Sequence, residues 1–258
     1  MKKIVKISAI VLALVMAMSS LCACGKGAST ENPSETEKLV MATNASFPPY
    51  EFVDDNGAFA GIDVEIAGLI AEKLGLTLEI QDVEFGSIIG GVQSGKFDIG
   101  MAGMTVTDER LESVNFSTSY AKGIQSIIVP EGSEFTSFDD LAAKEDVKIG
   151  VQQDTTGDIY ISDDLGSDHV VQFKTGNDAV QALVTGKVDA VVIDNEPAKS
   201  YVAANEGLVI LETAYAEEDY AICVAKENTA LLESINAALA ELTADGTIDA
   251  IIAKYIAA

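Results

Sequence analysis

Two stretches of the chain repeat one pattern, 91 residues apart. Val92-Gln93-Ser94-Gly95-Lys96-Phe97-Asp98-Ile99 resembles Leu183-Val184-Thr185-Gly186-Lys187-Val188-Asp189-Ala190. Each reads as a helix end, a glycine free to take the left-handed cap conformation, and an apolar strand. Such joints occur throughout α/β proteins, and two of them hint at two similarly built lobes. The rest of the chain alternates in the same way. In the first unit, strands are predicted at 39–43, 76–83 and 97–101, with helices at 62–74 and 87–94. Ile62, Ile66, Leu69, Ile70 and Leu74 share one helix face, which Gly75 ends. Residues 123–129 form an extended run that leaves this unit. In the second unit, strands are predicted at 147–151, 169–173 and 188–193. Its helices are predicted at 138–143 (capped by Ser137), 156–162 and 177–185, and at a segment whose first turn holds Pro197. An apolar run at 220–225 returns to the first unit, and helices at 230–244 and 247–256 finish the chain. This order predicts α/β lobes with largely parallel sheets. In such sheets ligands bind beyond the carboxyl ends of the strands, here the cleft between the lobes.

The 258 residues carry a formal charge of −25 and are 48% hydrophobic. That is enough apolar material for sizeable cores. The acid excess repels phosphate backbones and anionic lipid, so no nucleic-acid partner is expected. Residues 1–23 read as a leader: Lys2, Lys3 and Lys6 precede an apolar run too short to span a bilayer. Leu21-Cys22-Ala23-Cys24 resembles a bacterial lipobox, which implies cleavage before Cys24 and its lipidation; Cys22 would place Leu21 where a small residue is needed. Residues 24–37 then read as a flexible tether. This implies an extracytoplasmic location on the cell membrane, lipid-anchored through Cys24. An ordinary secretory signal with two chance cysteines is the alternative. Cys223 alone remains in the folded part, in an apolar run, as a small core residue without a disulfide. His169 is the single histidine. A His/Cys metal site or a Ser-His-Asp triad therefore has little to be built from.

The chain uses lysine 15 times and arginine once, at Arg110. A lone guanidinium suits a bidentate clamp on a carboxylate, or else an exposed helix arginine paired with Glu109 or Glu112. The preceding loop from Gly103 offers backbone N–H groups and the Thr105 hydroxyl, with Thr105 and Asp108 as a candidate capping box. Asp194 ends the strand at 188–193 and is either an acceptor for an ammonium group or the cap of the next helix. The loop holding Gln152, Thr155 and Thr156 follows a strand and opens a helix, so it can complete an anion site. Phe47 and Phe85 follow strands as pocket walls or as core. Together these groups match a zwitterion: an arginine and hydroxyls for a carboxylate, an acid for an ammonium group, aromatic walls for a side chain. No second acid is expected to face the pocket.

Several motifs, in order over residues 38–257, resemble bacterial solute-binding proteins of family 3, the amino-acid binders of ABC importers. They are Thr43-Asn44-Ala45-Ser46-Phe47-Pro48-Pro49-Tyr50-Glu51-Phe52, Gly61-Ile62-Asp63-Val64-Glu65, Gly103-Met104-Thr105-Val106-Thr107-Asp108-Glu109-Arg110, residues 151–157 and 189–194, and Asp245-Gly246-Thr247. The resemblance implies a two-lobed periplasmic-binding-protein (Venus-flytrap) fold with ligand in the interlobe cleft. Lobe 1 would be 38–122 plus 219–258 and lobe 2 would be 123–218, the two crossings acting as a hinge. It implies that Arg110 clamps the α-carboxylate with Thr105 and Thr156, and that Asp194 and the Gly103 carbonyl hold the ammonium group. Phe47 and Phe85 would sandwich the side chain, with Asn44 and Gln152 at its polar end. Asn44 stands where many relatives that bind glutamine or basic residues have aspartate, so a polar amino acid is expected. The partners expected are that free amino acid and an ABC permease, with the protein a monomer, no cofactor and no enzyme activity. A cyclohexadienyl-dehydratase-like enzyme, which needs a pocket acid, and an amino-acid-sensing surface lipoprotein are the alternatives.

Overall fold

The computed structural model describes residues 37–212 and 215–256. The predicted leader and Cys24 lie outside the described residues, as does the tether apart from Glu37.

The first sheet is built from β1 (Lys38–Thr43), β5 (Thr77–Asp82), β6 (Ile99–Gly100), β7 (Val114–Phe116) and β14 (Cys223–Ala225). Its order is β5-β1-β6-β14-β7. Between these strands come a small antiparallel sheet of β2 (Ser46–Phe47), β3 (Glu51–Val53) and β4 (Phe59–Ala60), then α1 (Ile62–Leu74), α2 (Ile88–Gln93) and α3 (Asp108–Ser113). The apolar stripe of α1 is buried through Ile62, Ile66 and Ile70. Gly75 ends that helix with a φ of 73°, which an L side chain adopts at a cost.

The second sheet contains β8 (Ala121–Pro130), β9 (Ile149–Gln152), β10 (Val170–Phe173), β11 (Ala190–Asp194), β12 (Leu208–Ile210) and β13 (Ala216–Tyr220). Its order is β10-β9-β11-β8-β12, with β13 also paired to β8. The helices α4 (Phe138–Ala142), α5 (Thr156–Leu165), α6 (Gly176–Val184) and α7 (Asn195–Ala204) join these strands. α8 (Thr229–Ala244) and α9 (Thr247–Tyr255) return to pack on α1. The fold is thus α/β and two-lobed.

The paired glycines behave alike: Gly95 after α2 and Gly186 after α6 both have positive φ, 73° and 68°. The sheets are less parallel than expected. Only β5-β1-β6 and β10-β9-β11 are parallel; β14 and β8 run antiparallel to their neighbours. The cause is the doubled crossing, because β8 leaves the first lobe and the chain returns through β13 in the opposite sense. The run at 220–225 is also split. Tyr220 ends β13 in the second sheet, and Cys223 begins β14 in the first.

Candidate functional site

A cavity lies between the two lobes. It is lined by all ten residues singled out in the sequence: Asn44, Phe47, Phe85, Gly103, Thr105, Arg110, Gln152, Thr155, Thr156 and Asp194. Most sit where the fold turns over a sheet edge. Gln152 and Asp194 are the last residues of β9 and β11. Thr155 caps α5 by accepting the Asp158 N–H, and Thr156 is its first residue. Phe47 ends β2, and Phe85 opens a single helical turn after β5.

Arg110 is 7% exposed, so it is not a surface residue. Its Nη1 donates to the Thr105 carbonyl at 2.7 Å, and its Nη2 donates to the Asp154 carbonyl of the other lobe at 3.0 Å. The guanidinium carbon stands 5.3 Å from the centre of the Phe85 ring. Burial pulls its ionisation down, and the charge of Glu218 opposes this most. Three further side-chain contacts join the two lobes. Gln152 Nε2 donates to Asn44 Oδ1 at 2.9 Å, the Tyr201 hydroxyl donates to the Ser46 carbonyl at 2.5 Å, and Lys174 pairs with Glu84 at 2.5 Å.

Asp194 occupies the cap position of α7 but makes no side-chain cap bond. Its carboxyl instead accepts the hydroxyl of Tyr220. Burial pushes Asp194 up to about 7, with the charge of Glu218 adding to the rise. Gly103 has a φ of 51° and lies against Phe47; a Cβ there would stand 2.9 Å from the ring. Glycine is therefore required both by conformation and by space.

Two expectations are corrected. Thr107, not Thr105, caps α3, by accepting the Arg110 N–H. Thr105 donates its hydroxyl to Glu218 at 3.0 Å instead, because β13 brings that acid beside it. A second acid also reaches the cavity: Glu51 lines it. Ala102 completes the wall. Behind the wall stand Gln125, Glu218 and Tyr220. Gln125 Nε2 donates to Glu218 at 3.0 Å and to Thr156 Oγ1 at 3.3 Å. The alternation along β13 carried the signal for two members of this layer, since Glu218 and Tyr220 share the buried face while Glu217 and Asp219 are exposed. Among the described residues no group of His, Cys, Asp and Glu could hold a metal ion. Cys223 is buried and free, its thiol pushed up to about 12 by burial.

A model of the bacterial extracellular solute-binding proteins, family 3, matches residues 39–258. The chain belongs to that family. A probable histidine-binding protein of Neisseria gonorrhoeae is 32% identical over 258 residues, covering 96% of this chain and 95% of the relative. Among solved structures, an ancestral arginine-binding protein bound to glutamine superposes with a TM-score of 0.81 at 40% identity. That match covers 86% of this chain and 98% of the other. The ancestral amino-acid-binding protein AncCDT-1, a precursor of cyclohexadienyl dehydratase, superposes with a TM-score of 0.77 at 34% identity, covering 84% and 94%. As a family 3 protein the chain is a solute-binding protein that works outside the cytoplasm, and the interlobe cavity is its candidate solute site.

Proposed function

We propose that this protein captures a free, polar L-amino acid between its lobes and delivers it to the permease of an ABC importer. The observation that carries the reading is that Arg110, on α3 between strands of the first sheet, and Asp194, at the end of β11 in the second sheet, line one cavity. Opposite charges held apart on the walls of a buried cavity are complementary to a zwitterion. Arg110 takes the α-carboxylate, helped by the hydroxyl of Thr156 and the start of α5. Asp194 takes the α-ammonium group. Phe47 and Phe85 flank the side chain, and Asn44 with Gln152 meet its polar end.

Lobe 1 comprises 38–122 and 219–258, lobe 2 comprises 123–218, and the hinge lies where β8 and β13 cross between them. Ligand that touches both lobes stabilises the closed form, which the permease then recognises. The protein works as a monomer, anchored by lipid at Cys24 after removal of residues 1–23, and catalyses no reaction.

The test is a set of thermal melts on refolded, ligand-stripped residues 25–258 with each of the twenty amino acids, cystine and ornithine. A ligand at one hundred times its Kd stabilises by about 2.7 kcal/mol. A rise with one or a few amino acids, lost in Arg110→Ala, supports the reading. Cooperative melting with no rise for any amino acid overturns it.

Glu51 favours one second reading, because an acid on the cavity wall is what a dehydratase of this fold would use to protonate a leaving hydroxyl. Formation of phenylpyruvate from prephenate, lost in Glu51→Gln, would establish that reading in place of the first.

A further inference from the structure

Acids crowd one side of the cavity. Asp63, in the first turn of α1, is fully buried, and Glu51 beside it is 1% exposed. Oδ2 of Asp63 accepts the N–H of Gly103 at 2.8 Å. Three neighbouring atoms are buried with no conventional partner: Oδ1 of Asp63, Oε2 of Glu51 and the hydroxyl oxygen of Tyr120. They belong to one cluster: the Asp63 N–H donates to the carbonyl of Tyr50 at 2.9 Å, next to Glu51, and the charges of Glu51 and Asp63 act on each other and on Tyr120.

Two ionised carboxylates do not rest together away from water. Each is desolvated, and each repels the other. One proton between them reverses the balance: a protonated Glu51 becomes a donor and satisfies both orphaned carboxyl oxygens at once. Asp63 is the partner that keeps the charge, because its other oxygen already accepts the Gly103 N–H. Among the described residues, the strongest influences on Glu51 all oppose a charge on it. The groups facing it are Asp63, Asp194 and Asp82, with Tyr50, Tyr120 and Tyr201 around them.

The peptide that Asp63 holds is part of the site. Ala102 and Gly103 both line the cavity, and the bond to Asp63 fixes the plane of the peptide between them, from which the chain continues to the Gly103 carbonyl. We infer that Glu51 and Asp63 hold one proton between them, carried on Glu51, and that charged Asp63 positions the Ala102–Gly103 wall for the ligand's ammonium group. The second half rests on the amino-acid-binding reading; the shared proton does not. The pair works on the ligand through the wall peptide and through the field of one buried charge, so Asp63 is a positioning residue.

Infrared spectra of the ligand-free protein at neutral pH test the proton directly. A protonated-carboxyl C=O band is expected in Asp194→Asn, where Asp194 cannot contribute one, and is expected to be lost when Glu51→Gln is added to that variant. Its absence from Asp194→Asn, or its survival undiminished in the double variant, overturns the shared proton. Affinity tests the positioning, with each of the twenty L-amino acids as probe and the des-amino form of any that binds. Glu51→Gln, which keeps a donor for Asp63, is expected within about threefold of wild type, whereas Glu51→Leu loses at least about tenfold. The loss is expected to be smaller for the des-amino analogue. Equal losses in the two variants, or equal losses for both ligands, overturn the positioning. If Glu51→Leu does not fold, Glu51→Gln decides by itself, since a loss beyond threefold there overturns the role. If the band behaves as expected while no amino acid binds the wild type, the amino-acid reading falls and the shared proton stands.

Discussion

The hydroxyl of Tyr220 donates to the carboxyl of Asp194, tying the strand that crosses between the lobes to the acid of the cavity. The ring is held from two further sides. Tyr50 meets it edge-on at 5.1 Å, and Gly123 lies so close that a Cβ there would fall on the ring. Replacing Tyr220 with phenylalanine keeps this packing and removes one donor from a buried carboxylate. A hydrogen bond to a charged group is worth about 1.5–3 kcal/mol. Tyr220→Phe is therefore expected to weaken amino-acid binding at neutral pH by roughly tenfold or more, read by calorimetry. Unchanged affinity would separate Tyr220 from the site.

Binding should also depend on pH in a definite direction. Burial first, and the charge of Glu218 second, raise Asp194 to about 7. An ammonium group needs the ionised form. Affinity is expected to rise with pH up to about 7 and then level off, falling about tenfold per unit on the acid side. Calorimetry in buffers of different ionisation heat should show proton release on binding near the acid end. A flat profile would mean that Asp194 does not hold the ammonium group.

Stability should run the other way. Burial raises Glu51 well above the ordinary carboxyl range and Asp63 to about 7. The folded state then binds more protons than the unfolded chain above pH ~4.5. The stability these acids contribute is complete below their unfolded values and is lost as pH rises through the folded ones. Each proton carries about 1.4 kcal/mol per pH unit. Denaturant melts of the ligand-free protein from about pH 5 to 8 should show this decline, shallower in Glu51→Gln than in the wild type. Parallel declines would place the extra proton elsewhere.

Arg110 reaches one carbonyl in each lobe, those of Thr105 and Asp154, and still presents its face to Phe85. A lysine cannot make both bonds and also grip a carboxylate in two places. Arg110→Lys is expected to lower affinity by about a hundredfold, as if two charge-assisted bonds were lost. The readout is the ligand-induced thermal shift. A lysine variant that binds as the wild type does would reduce Arg110 to a simple point charge.

Much of this was legible in the sequence because it is local. The apolar stripe of α1 and the glycine at its end specify that helix without reference to anything distant. Strand ends such as Gln152 and Asp194 could be placed at the cleft edge from the alternation of elements alone. What the chain concealed depends on partners far away in sequence. Thr105 has the residue type of a cap, yet its hydroxyl is taken by Glu218, 113 residues on. Tyr220 looks like the start of an apolar strand, but its hydroxyl reaches an acid on β11. Glu51 looks like a loop acid until Asp63 is brought beside it. Local propensity decides which element forms; the choice among polar partners is made by topology.

The placement of β14 between β6 and β7 has a consequence for how the molecule comes to exist. Its three residues at 223–225 hydrogen-bond to strands laid down more than a hundred residues earlier. Until they arrive, the first sheet has two open edges, at β6 and β7, each a template for pairing with another chain. The second lobe draws on one nearly continuous stretch and has no such debt. Loop closure therefore orders the assembly: the second lobe can form as soon as its own segment is free, while the first waits for nearly the whole chain. A chain cut short before Cys223 would be left with a finished lobe and an aggregation-prone half-sheet.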